Sequence, residues 1–180
     1  MKNKVFLLWL FSLLFTLNAF AQMSVDKIES FIPKLQYDDD FMKYTDFAML
    51  DGFNVVKSLV GWMKFDVGKK VYAIELDKFS ENKKLKSKTT YFYIQTVPVA
   101  ISVERKGITQ IYYLSDGKVI GYKQFNNKVY KPYGGSKPLD IRQIPLAQKV
   151  KTPKAKTLKR ASVLLNQVRS TSKQLFDYQF

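Results

Sequence analysis

The chain predicts an α+β fold: an antiparallel β-meander of about five to seven strands, with short N-terminal helices before it and a C-terminal amphipathic helix packed on one face. Three observations carry that expectation. Between residues 53 and 133, aromatic and β-branched runs alternate with Gly, Asn and Asp, which is the composition of antiparallel strands joined by short turns. The pairs Lys106-Gly107, Asp116-Gly117 and Asn126-Asn127 divide those runs, and the last two tolerate the positive φ that tight hairpins require. Beyond Pro153 no Gly or Pro interrupts the chain, and Leu158, Ala161, Leu165, Val168, Ser172 and Leu175 recur in steps of three and four along one helical seam.

The elements follow in order. Lys2 and Lys4, the apolar run from Val5 to Leu17 and then Ala19-Phe20-Ala21 have the layout of a secretory signal peptide over residues 1–21. The expected mature domain is 22–180 and is exported, periplasmic or secreted. Position 22 is Gln and the chain has no Cys, so a thioether lipid anchor is chemically excluded. Within the domain the sequence divides into a helical part (22–52), the meander (53–133), a connector (134–152) and a helix (153–178).

Ser24 precedes Val25, Ile28, Phe31, Ile32 and Leu35 at helical spacing and suits an N-cap, while Pro33 keeps that helix short. A second helix is expected from Phe41 through Tyr44, Phe47, Ala48 and Leu50, with Asp38-Asp39-Asp40 at its start and Gly52 at its end. In the meander, Pro98 argues that the stretch from Thr89 to Val103 is two strands or a bulged edge. Val129-Tyr130 reads as one more strand after Asn126-Asn127. Tyr133-Gly134-Gly135-Ser136 then opens a connector punctuated by Pro138, Pro145 and Pro153, and Thr152-Pro153 reads as the cap and first position of the terminal helix.

Composition excludes several chemistries. The 180-residue chain contains no His and no Cys. That removes the Ser-His-Asp triad, a thiolate nucleophile, disulfides and a zinc site of the usual ligands, so no metal and no cofactor is expected. Stability must come from packing, with 14 Phe, 11 Tyr and 2 Trp supplying the bulk. The formal charge is +15, and without Lys2 and Lys4 the expected mature chain still carries 28 basic against 15 acidic residues, or +13. An excess of that size favours anionic partners: an acidic polymer or a membrane surface.

The densest cationic stretch is Lys149, Lys151, Lys154, Lys156, Lys159 and Arg160, followed by Arg169 and Lys173. Lys156, Lys159 and Arg160 fall opposite the apolar seam, and cations packed at a helix N-terminus oppose its macrodipole. A local rule broken repeatedly points to function, and Lys151, Lys154, Lys156, Lys159, Arg160 and Lys173 are the candidate anion-binding residues. The plain reading, a solvated face of a docked helix, accounts for the same pattern without a ligand. A second lysine-rich run, Lys78 to Lys88, reads as a hairpin loop. Tyr91, Tyr93, Tyr112, Tyr113, Tyr122, Tyr130 and Tyr133 interleave with lysines; such aromatics more often simply cover a sheet face, and would add contact area to a binder if exposed.

Carboxylates offer the rival chemistry. Glu75 and Asp77 alternate onto one strand face and Glu104 lies further on, so an envelope glycan hydrolase with these acids is the second expectation. A third is a carrier of an apolar ligand held between sheet and helix. Ser-x-x-Lys occurs four times, but lysine is too abundant for that spacing to mean anything. Asp38 to Asp40 lack the Gly and distal Glu of a calcium loop. The ending Phe176-Asp177-Tyr178-Gln179-Phe180 alternates as an outer-membrane barrel strand does, yet the residues before it keep a helical period, which argues against a barrel.

Overall fold

Each strand pairs with the one before and the one after it, so the spatial order of the sheet is its sequence order. In the computed structural model, which describes residues 23–33, 42–51, 54–66, 68–129 and 139–177, the seven strands are β1 (Met42–Asp51), β2 (Asn54–Asp66), β3 (Lys69–Phe79), β4 (Leu85–Ile94), β5 (Val97–Arg105), β6 (Ile108–Ser115) and β7 (Lys118–Asn126). A helix α1 (Val25–Phe31) precedes the sheet. A single 3₁₀ turn (Ile141–Gln143) and a helix α2 (Ala155–Asp177) follow it.

The hairpins form where the sequence places special turn residues. Lys106 and Gly107 have φ of 53° and 73°, and Asp116 and Gly117 have 50° and 72°, which are two consecutive left-handed residues in each β5–β6 and β6–β7 connection. Pro98 sits at the start of β5 opposite Tyr93, beside a register shift between Phe92 and Tyr93, so it costs no ladder hydrogen bond in mid-strand. The Ser24 side chain accepts from the Lys27 N–H at 3.2 Å, capping α1, and the chain leaves the helix at Ile32 ahead of Pro33.

Alternation along the strands gives the sheet two apolar faces. The first carries Val71, Ala73, Phe92, Ile94, Ile111, Tyr113 and Phe125, and is covered by Ile28, Phe31 and Ile32 of α1 together with Ile141 and Ile144. The second carries Tyr72, Ile74, Tyr91, Tyr93, Ile101, Tyr112, Leu114 and Tyr122, and is covered by Ala161, Leu164, Leu165 and Val168 of α2. At Gly121 of β7 the cover comes close enough that a Cβ there would lie 2.7 Å from Val25 Cγ2. Both faces are therefore interior, which explains strands so rich in aromatics on both sides.

Four expectations are corrected. Residues 42–51, read as a second helix, are the edge strand β1, paired with β2 from Met42↔Met63 to Asp51↔Asn54. Tyr44, Phe47 and Leu50 suit either structure locally, and a long partner strand decides the matter. The meander accordingly begins at Met42 rather than residue 53, and a single described helix precedes it. Among the described residues no strand follows Asn126-Asn127: Asn127 N–H donates to Gly107 O at 2.8 Å and its Oδ1 accepts from Thr109, so it fastens the end of β7 to the β5–β6 turn. The terminal helix starts at Ala155, with Lys154 O accepting from Thr157 and Leu158 N–H, two residues after the expected Thr152-Pro153 cap. The connector is not simply a surface loop, because Ile141 and Ile144 are buried in the first core. The expected signal peptide, Asp38 to Asp40, Gly134-Gly135, Tyr130, Tyr133 and Phe180 lie outside the described residues.

Candidate functional site

Helix α2 forms because a run free of Gly and Pro carries an apolar stripe, and the stripe docks where the sheet offers Ile74, Ile101 and Leu114. Docking fixes which side chains remain in water. Lys149, Lys151 and Lys154 on the approach to α2, and Lys156, Lys159, Arg160 and Arg169 on it, are all exposed. Lys173 lies further along α2. From Ile141 to Phe176 there are nine basic residues and no acid; of the eight from Arg142 to Arg169, only Arg142 takes part in an ion pair among the described residues. Arg142 is held by Asp140, whose carboxyl the guanidinium keeps below its ordinary range.

Three of these cations also touch the second face. Lys151 Nζ lies 5.6 Å from the Tyr122 ring centroid, and the Arg169 guanidinium is 6.0 Å from that of Tyr72. Arg160 hydrogen-bonds the Tyr91 hydroxyl, whose pKa is raised by burial and partly drawn back by that guanidinium. Arg160 therefore flanks the seam rather than standing opposite it. Beside Tyr122, Gln110 Nε2 donates to the Tyr122 hydroxyl at 2.9 Å, Tyr122 donates to Gln124 Oε1 at 2.6 Å, and Tyr112 donates to Gln110 Oε1 at 3.1 Å. The tyrosines are thus interior. Tyr91, Tyr93, Tyr112, Tyr113 and Tyr122 are at most 6 % exposed, so they cover the sheet faces as expected and do not serve as an exposed stacking platform. Lys78 to Lys88 does form a hairpin, but Lys88 turns inward and pairs with Glu75 at 3.0 Å.

The three candidate acids come together on the first face. The register places Asp77 opposite Lys88 and Lys88 opposite Glu104, with Glu75 opposite Thr90 in the next row. Lys88 stands between Asp77 and Glu104, where two carboxylates working across a glycosidic bond would need an open gap. Among the described residues, Glu75, Asp77 and Glu104 do not form a group that could hold a metal ion. Asp77 Oδ1 is buried without a hydrogen-bond partner, and burial first, then Glu75, push its carboxyl up to about 6.

A carboxyl whose pKa rises on folding favours the fold while protonated. That contribution is complete below the ordinary carboxylate range near pH 4 and is lost as pH climbs through about 6. Asp77→Asn should remove this slope and gain on the order of 1 kcal/mol at pH 8, after discounting for solvent screening of a partly buried group. Urea midpoints between pH 4 and pH 8 measure it. Parallel curves for the two proteins would show that Asp77 is not strained.

The buried polar group that sequence reasoning missed is elsewhere on the first face. Lys123 Nζ of β7 reaches Glu29 Oε1 of α1 at 2.5 Å and Ile141 O at 2.9 Å, and the Tyr113 hydroxyl donates to the same Glu29 oxygen. All three residues are at most 3 % exposed. The group ties α1, β6, β7 and the 3₁₀ turn together.

No helix among the described residues is long and apolar enough to cross a membrane. No protein-family model, curated protein or solved structure matches this chain.

Proposed function

We propose that this protein is an exported, non-catalytic binding protein that engages an anionic partner through the cations of α2 and the segment leading into it. The observation that carries the reading is the unneutralised cationic surface from Lys149 to Arg169, exposed because the opposite side of α2 is committed to the core. Lys154, Lys156 and Lys159 crowd the positive end of the helix macrodipole, an arrangement that costs roughly 0.3–1 kcal/mol per exposed charge and that a bound anion relieves. Envelope polysaccharide, lipid headgroups and nucleic acid all present the required charge. Binding by charge is expected to be indifferent to sugar or base identity.

The test is charge reversal at Lys154, Lys156 and Lys159, leaving Arg160 in place because it bonds Tyr91. Lys154→Glu/Lys156→Glu/Lys159→Glu should abolish retention on heparin at low salt while the melting temperature changes little, since exposed substitutions rarely exceed about 0.5 kcal/mol each. Full retention by the triple variant would reduce the cluster to a solvated helix face.

A further inference from the structure

We infer that the anionic partner is a lipid surface, and that the strap rounding the β7 edge inserts Leu146 and Val150 into it. This narrows the anion-binding reading and rests on it. The strap begins in the first core, where Ile144 is buried, and ends on the second face, where Lys151 lies over the Tyr122 ring. Ala147 N–H donates to Tyr122 O at 2.9 Å and fixes the strap against the edge strand. Held there, Leu146 is 49 % and Val150 53 % exposed, although the chain has two cores in which aliphatic side chains could be hidden.

Their neighbours give the exposure a meaning. Lys149, Lys151 and Lys154 are exposed within the same short segment. Further along α2, Val163 is 43 % exposed, one turn beyond Lys159 and Arg160 on the helix surface. A soluble polyanion rewards the lysines and gains nothing from the aliphatic groups. An anionic bilayer rewards both, because headgroups attract the cations while the acyl boundary takes up the apolar side chains.

The experiment uses the whole mature chain, vesicles of equal parts phosphatidylcholine and phosphatidylglycerol, and heparin as a soluble polyanion. The wild type should bind both probes. Leu146→Ser/Val150→Ser should lose at least about tenfold in vesicle affinity and keep its affinity for heparin. Vesicle binding equal to the wild type would overturn the insertion while leaving the anion reading intact, as would a wild type that binds heparin and ignores vesicles. Binding to neither probe would sink the anion reading and this inference with it. A second variant guards against a strap that loosens: Val150→Trp should shift its fluorescence to the blue on adding vesicles and not on adding heparin. An unchanged spectrum with bound vesicles would also overturn the insertion.

Discussion

Lys123→Met should cost about 3–5 kcal/mol in unfolding free energy, more than any other single change considered for this protein. Lys123 is 3 % exposed and neutralises Glu29, itself 3 % exposed. Without the ammonium, a carboxylate remains in an apolar core with the Tyr113 hydroxyl as its donor, and Ile141 O loses the Lys123 donor. The cost is therefore mainly that of an uncompensated buried charge, not the worth of the pair itself. Two further variants separate these. Glu29→Gln alone should also be destabilising, because the ammonium is then stranded. Glu29→Leu/Lys123→Met/Tyr113→Phe removes every stranded side-chain group and should recover most of the loss. Urea denaturation at neutral pH reads all three, and a Lys123→Met loss below about 1 kcal/mol would mean that the group is hydrated and not a core clamp.

Leu165→Ala should cost about 2–5 kcal/mol, the range for emptying a packed aliphatic site. Leu165 is 2 % exposed and lies among Ala161, Leu164 and Val168 against the tyrosine-rich second face. The magnitude distinguishes a helix that completes the core from one that rests on a finished sheet, for which the loss would stay under about 1 kcal/mol. The outcome also bears on function, because only a firmly docked α2 holds its lysines on the solvent side. The neighbouring exposed change Ser162→Ala should leave stability within about 0.5 kcal/mol and serves as the control.

How far the fold was legible follows from how local each signal is. Ser24, Lys106-Gly107 and Asp116-Gly117 act within a few residues, and the cap and both hairpins form where those residues stand. The seam from Leu158 to Val168 was legible because a helix that long imposes its own period. The edge strand β1 was not, because Tyr44, Phe47 and Leu50 are spaced for a helix and their true environment is set by pairing with β2. Glu29, Tyr113 and Lys123 are separated by 84 and 94 positions, and no spacing rule connects residues so far apart. The two-faced core hid in the aromatics: tyrosines that looked available for stacking are interior because α2 covers them.

The candidate site divides in the same way. Its cations were readable because exposure follows from helical periodicity and charge. Arg160 was misplaced by one face of the wheel, since its long side chain reaches back to Tyr91. The alternation of Glu75 and Asp77 correctly put them together, but Lys88 beside them became visible only through the β3–β4 register.

The salt dependence of binding by the wild-type chain reports on the anion site itself. For duplex DNA as the probe, the logarithm of the association constant should fall linearly with the logarithm of salt concentration, at a slope of about −0.9 per phosphate neutralised. Four engaged lysines then predict a loss of roughly a hundredfold between 50 and 200 mM salt, with the same slope for DNA of unrelated sequence. A shallow slope, or an affinity that follows the base sequence, would contradict an anion site built on the exposed cations of α2.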